Sequence, residues 1–295
     1  MGKRYFAFLK GDIMRLISFT RLGEIGFGAL VDGGVVDLTN QLDYGVDTIK
    51  SALESDLLEF IGDYVEDRSP NFSMSDVTLL PVIPNPAKII CIGLNYENHR
   101  KETQRPDVAY PTIFVRYPDS QVAHGQALIK HKSTERFDYE GEMAVIIGQG
   151  GRNISEDSAL SHVGGYACYN DGSVRDWQRH TSQFTPGKTF PGTGAFGPYM
   201  VTKEEVGDYT KLPIQTRLNG EVMQDATLSD LIFPIPRLIS YVSQFTPLAP
   251  GDVIVSGTPG GVGDKREPPV YMVPGDLVEV EIGMLGILAN PVIGE

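Results

Sequence analysis

The chain is poor in several residues that commonly carry chemistry: two cysteines, one tryptophan and five histidines among 295 residues. It has no apolar run approaching the length of a membrane span. Cys91 and Cys168 sit in separate apolar, strand-like runs and form no C-x-x-C pair, so buried free thiols in a reducing compartment are expected. Basic residues are also scarce, 25 Lys and Arg against 38 Asp and Glu. The net charge of −13 argues against nucleic acid or an anionic membrane as partner. An acidic substrate would need local Lys and Arg to overcome that field. The apolar run within Met1–Lys10 is too short for a secretory signal, and a cytoplasmic protein is expected. Strand character begins at Arg15, which makes Met14 the expected natural start.

What remains is an ordinary soluble composition, 41% hydrophobic and 21% charged, in a chain long enough for one large domain or two. Arg15 to Thr20, Ile25 to Val31 and Val35 to Leu38 read as short strands, with Asp32-Gly33-Gly34 as a turn. From Asp47 to Arg68 the spacing turns helical: Ile49, Leu53, Leu57, Phe60, Ile61 and Tyr64 form one stripe, and Asp47 is the expected cap. The prolines at 70, 81, 84 and 86 place a boundary between a small α+β domain, 14–80, and a larger domain, 86–295. The second is mostly strands: Lys88 to Gly93, Gly165 to Asn170, a hairpin turning at Asn219-Gly220, Val253 to Ser256 and Leu277 to Ile282. Short helices are expected over Asn95 to Thr103, Ser155 to His162, Ser173 to His180 and Pro234 to Ser243. Strands and helices interleave too irregularly for a doubly wound sheet, so the fold class is α+β, mainly β.

The richest stretch is Phe137-Asp138-Tyr139-Glu140-Gly141-Glu142, which runs into the apolar Met143 to Ile147. In a strand Glu140 and Glu142 face the same way, roughly 7 Å apart at their backbones. Such a pair survives if both are solvated, one is protonated, or a cation lies between them. The apolar run that follows weakens the solvated alternative and favours a hard divalent cation. Asp171, at the end of the Gly165 to Asn170 strand, is either a helix cap or the third member of an all-oxygen site suited to Mg²⁺, Mn²⁺ or Ca²⁺. His99 and Glu102, three apart on a short helix, make a general-base pair or merely part of a polar surface. Lys188, in a Gly-containing bend, is a solvated loop residue or an electrostatic clamp. Gly192 to Gly197 fits G-x-G-x-x-G literally, but it follows Pro191 and precedes Pro198, and Gly257 to Gly263 lacks the Lys-Ser/Thr of a P-loop. Neither reads as a phosphate cradle, although Thr258 lies where a hydroxyl could hold a carboxylate.

Six motifs in order give these residues a common context: Cys91-Ile92-Gly93-Leu94-Asn95-Tyr96 with His99 and Glu102; Asp138 to Glu142; Asn170 to Asp176; Gly187-Lys188; Leu218 to Glu221; and Pro250 to Ile254 leading to Gly257 to Gly263. Over 88–295 the chain resembles the fumarylacetoacetate hydrolase family. The resemblance implies a mixed β-roll and a homodimer, with Mg²⁺ or Mn²⁺ held by Glu140, Glu142 and Asp171. It implies that His99 and Glu102 form a dyad on a mobile lid and that Lys188 stabilises developing negative charge. Arg175, Gln178 and Thr258 would contact a small anionic oxo-acid. Larger animal-type members take a further Asp ligand from a segment that here reads Phe114 to Asp119, and Asp119 is not assigned that role. Hydrolysis of a C–C bond in a 2,4-dioxo acid is the first expectation. An oxaloacetate-type decarboxylase or hydroxymuconate-type isomerase is the second, and a non-catalytic metal-stabilised scaffold the third.

Overall fold

Side chains of the Gly141–Ile147 strand alternate between two separate cores: Met143, Val145 and Ile147 enter one, Ala144 and Ile146 the other. Its neighbour Val163–Asn170 does the same, with Tyr166 and Cys168 on one side and Ala167 and Tyr169 on the other. A sheet covered on both faces has no solvent side, which is why these strands read as continuous apolar runs. The computed structural model describes residues 13–42, 45–104 and 109–295. The Met1–Lys10 segment assessed above lies outside them.

Among the described residues, twelve strands form the central mixed sheet. Its middle runs from Arg15–Arg21 through Gly194–Thr202, Val163–Asn170, Gly141–Ile147 and Val253–Val255 to Ile89–Gly93 and Thr112–Arg116. One face is covered by a five-stranded sheet that includes Pro213–Leu218, Leu277–Ile282 and Ile287–Gly294, and by the Ile235–Phe245 helix. The other is covered by two short helices, Ile49–Glu54 and Leu58–Val65, through Ile49, Ala52, Leu53 and Ile61. The fold is mixed and sheet-rich. The Asn219-Gly220 hairpin forms with both residues at positive φ, 53° and 83°, as a tight primed turn requires.

Three differences from the sequence reading have physical causes, the first two local and the third long-range. The single helix expected over Asp47 to Arg68 is two, because Asp56 takes a left-handed conformation, φ 53°, just past the first helix. The cap is Thr48, whose hydroxyl accepts from the Ser51 N–H, and Phe60 of the expected stripe is exposed. The sheet also runs across the proline-rich boundary. Arg15 and Leu16 of the expected small domain pair with Val201 and Met200 of the larger one, so the two share one sheet.

Candidate metal and acid–base site

Strand register assembles the floor of the site. Gly141 pairs with Asn170, which brings the residues just beyond that pair together, and the Asp171 N–H donates to the Glu140 carbonyl at 2.8 Å. The Asn170 side-chain carbonyl accepts from the Glu140 N–H at 3.0 Å. Glu140, Glu142 and Asp171 consequently offer carboxylate oxygens within 4.8 Å of one another, all buried. Asp171 precedes a two-residue strand, Ser173–Val174, and caps no helix; Val174 sits at the N-cap of the following helix.

Three buried cations meet these acids. The Lys188 Nζ donates to Glu140 Oε2 at 2.6 Å and to Asp171 Oδ2 at 2.5 Å. Arg116 Nη1 donates to Asp171 Oδ1 at 2.6 Å. Arg175 Nη1 lies 2.6 Å from Glu140 Oε1, and its Nε donates to Asp138 Oδ2 at 2.8 Å. Lys188 reaches this depth because its short helix, Thr185–Lys188, packs tightly on Gln178: a Cβ at Gly187 would lie 2.4 Å from the Gln178 nitrogen. Burial opposes charge on Lys188, but Asp171 and Glu140 outweigh it and hold the ammonium above its ordinary range. Burial likewise opposes charge on Glu140, and there Arg175 and Lys188 win, keeping the carboxyl well below the usual carboxylate range.

Glu142 is the exception. One oxygen accepts the Gly257 N–H at 2.5 Å, and no cation pairs with it among the described residues. Burial first, then the Asp171 and Glu140 charges, push its carboxyl well above the ordinary range. Counting Asp138, the floor holds four carboxylates against Arg116, Arg175 and Lys188, one negative charge in excess when all are ionised. A buried carboxylate without a counter-charge is costly. The donor set of Glu140, Glu142 and Asp171 is all oxygen, and each of their oxygens bound by an Arg or Lys keeps a spare lone pair. The residues therefore fit a hard divalent ion of the Mg²⁺ or Mn²⁺ kind.

His99 and Glu102 lie on the Glu97–Glu102 helix over this floor, with His99 buried. His99 Nδ1 is 2.7 Å from Glu102 Oε1, and Glu102 Oε2 accepts the Gly261 N–H at 2.9 Å. Asn98 Oδ1 accepts the Gly260 N–H at 3.0 Å. The helix is thus fastened to the glycine-rich 257–263 loop by side-chain carboxylate and amide oxygens. With Nδ1 engaged, the other ring nitrogen of His99 is left for the cleft that this residue lines.

That cleft, about 740 Å³ and continuous with solvent, is lined by His99, Glu140, Glu142, Arg175, Gln178, Lys188 and Thr258, with Phe114 and Phe184 as apolar walls. Eight of the nine residues singled out from sequence face it or, for Glu102, hold one that does; Asp171 lies beneath, bound to Lys188. The Thr258 hydroxyl is already engaged, donating to the Gly141 carbonyl and accepting from Gln224 Nε2. Gln178 Oε1 accepts from Arg175 Nη1 at 3.0 Å. Two residues escaped the sequence reading. Arg116, in the segment searched for a fourth ligand, supplies a cation instead, while Asp119 is exposed and outside the acidic group. Asp138 is fully buried and accepts from Arg175, the Gly263 N–H and the Asp264 N–H, tying the floor to the glycine-rich loop. The literal G-x-G-x-x-G runs into the Gly194–Thr202 strand, where no helix N-terminus is available for a phosphate.

The model for the C-terminal part of fumarylacetoacetate (FAA) hydrolase matches residues 88–293. A Bos taurus protein named oxaloacetate tautomerase FAHD2A, mitochondrial, is 38% identical over 288 residues, covering 95% of this chain and 92% of its own length. One from Bacillus subtilis (strain 168), named oxaloacetate tautomerase YisK, is 40% identical over 225 residues and 75% of each chain. A solved structure of a fumarylacetoacetate hydrolase from psychrophilic Exiguobacterium antarcticum superposes with a TM-score of 0.80 at 32% identity, covering 96% of this chain and all of the other. No described helix is long and apolar enough to cross a membrane.

Proposed function

Since the chain belongs to the fumarylacetoacetate hydrolase family, we propose that it is a divalent-metal-dependent tautomerase of a small 2-oxo acid of the oxaloacetate type. The observation that carries this reading is one acid–base dyad, His99 with Glu102, above a buried three-carboxylate group at and beneath the floor of the same cleft. Relatives named oxaloacetate tautomerase in an animal and in a bacterium favour it over the C–C hydrolase expected first from the sequence.

Mg²⁺ or Mn²⁺ held by Glu140, Glu142 and Asp171 would orient the acid and draw electron density onto its 2-oxygen. His99 takes a proton from C3 and returns one to the 2-oxygen, so a C–H bond is broken, an O–H bond is made, and water is not consumed. Glu102 fixes the imidazole through Nδ1 and stabilises its cationic form between the two transfers. Lys188 and Arg175 supply fixed positive charge beside the oxygen that becomes negative. The phenyl walls at Phe114 and Phe184 exclude water from one side of the cleft.

The test is the rate of keto–enol equilibration of oxaloacetate, followed by ultraviolet absorbance, with metal and with chelator. Metal-dependent acceleration without release of pyruvate supports tautomerisation. Pyruvate formation at the same rate, or cleavage of an acylpyruvate in the absence of tautomerase activity, replaces it with decarboxylation or hydrolysis. Hydrolysis is the second reading because the same dyad is equally suited to activate a water. A homodimer is the proposed assembly, checked by light scattering on the full chain.

A further inference from the structure

Arg175, Gln178 and Arg179 climb the cleft wall from floor to rim. Arg175 is 4% exposed, Gln178 is half-buried, and the Arg179 side chain is 47% exposed. All three line the cleft. Arg175 and Arg179 are four residues apart at the start and C-terminal cap of one helical turn, hence on the same face and about 6 Å apart along its axis. At the backbone, that rise is about the length of a four- or five-carbon acid.

The rim differs from the floor in charge balance. On the floor every Arg and Lys is matched to a carboxylate. At the rim, Arg179 and Lys265 share Asp264, which leaves one positive charge without a carboxylate partner among the described residues at the cleft mouth, in a chain with net charge −13. The Arg179 guanidinium is also fixed in place. It grips Asp264 through both terminal nitrogens, Nη1 to Oδ1 at 3.1 Å and Nη2 to Oδ2. Asp264 is itself anchored: the Tyr271 hydroxyl donates to Oδ1 at 2.9 Å, and its own N–H donates to Asp138 at 2.9 Å. A guanidinium carries five N–H donors, and Asp264 uses two. The remainder are presented at the rim by a group already oriented, so a ligand oxygen gains a charge-assisted hydrogen bond at little further ordering cost.

We propose that Arg179 reads a second carboxylate on the substrate, with Lys265 adding to the field, so that the cleft selects an oxo-diacid over an oxo-monoacid. This rests on the site being an oxo-acid tautomerase. A diacid places its first carboxylate and 2-oxo group at the floor and its second carboxylate at the rim. A monoacid leaves the Arg179 donors to water. Because the rim is solvated, the discrimination is moderate, about 5- to 30-fold in KM.

The experiment compares full-length wild type with Arg179→Gln and Arg179→Lys in saturating Mg²⁺, using oxaloacetate as the diacid and acetopyruvate as the monoacid. Arg179→Gln is expected to raise KM for oxaloacetate about tenfold with kcat little changed, to leave acetopyruvate unchanged, and to be partly restored in Arg179→Lys. Added salt should erode the diacid preference of wild type and not that of the variant. Oxalate, too short to reach the rim, should bind Arg179→Gln as tightly as wild type, and loss of oxalate binding would overturn the proposal by making the residue structural. An unchanged diacid-to-monoacid ratio in Arg179→Gln, alongside an active wild type, removes Arg179 from recognition while leaving the tautomerase reading intact. A wild type inactive on both acids removes both.

Discussion

The floor and the helix above it are built by different means. Glu140, Glu142 and Asp171 are placed by backbone pairing between two fully buried strands, and each lies at or beside the last pair of that ladder. His99 and Glu102 ride on a six-residue helix whose attachment to the 257–263 loop includes two side-chain acceptors, Asn98 and Glu102. The floor is part of the central sheet, whereas the helix meets the glycine-rich loop through side-chain hydrogen bonds. On the proposed function, the sheet-borne half binds and polarises and the helix-borne half carries the proton.

The sharpest way to break this contrast is at the acid–base group. His99→Ala should lower kcat by about 10²- to 10⁴-fold while the melting temperature and oxalate binding in Mg²⁺ stay near wild type. Near-wild-type turnover would remove the dyad from the chemistry. On the floor, Glu142 sets a pH signature. Its carboxyl is raised, so its contribution to metal-free stability is present at low pH and lost as pH rises through its folded-state value. The gain in melting temperature from Mg²⁺ or Mn²⁺ should therefore grow with pH, and Glu142→Ala should abolish it. A gain of the same size at every pH, or one that survives the substitution, would separate Glu142 from the metal.

A smaller effect probes the tether. Asn98→Ala removes the acceptor for the Gly260 N–H and should reduce kcat/KM about tenfold with less than about 1 kcal/mol lost in denaturant unfolding. A large stability loss with intact turnover would make Asn98 part of the scaffold rather than of the positioning of His99. The smallest effect lies far from the cleft. Thr48→Ala should cost about 1 kcal/mol of stability through the lost cap and leave turnover untouched.

The elements legible in the sequence were those specified locally. The Asn219-Gly220 turn, the Leu277–Ile282 strand and the paired Glu residues announce themselves over a few positions. Asp56 did not, because a left-handed Asp leaves no pattern distinct from any other polar residue in an apolar stripe. Arg116 and Asp138 were illegible for another reason. Their partners lie far along the chain, Asp171 for Arg116 and Arg175 and Asp264 for Asp138, and only the fold brings them near. The same distance hid the pairing of Arg15–Arg21 with Gly194–Thr202, across the boundary placed at the proline-rich stretch.

The sorting of alternate side chains in Gly141–Ile147 into two cores has one more consequence. A pairing error of a single residue would turn Glu142 away from its acidic neighbours and thrust it among hydrocarbon on the opposite layer. The carboxylate that equips the cleft therefore also acts as proofreader of the ladder: a misaligned chain carries its penalty at the centre of the molecule, where no water can relieve it.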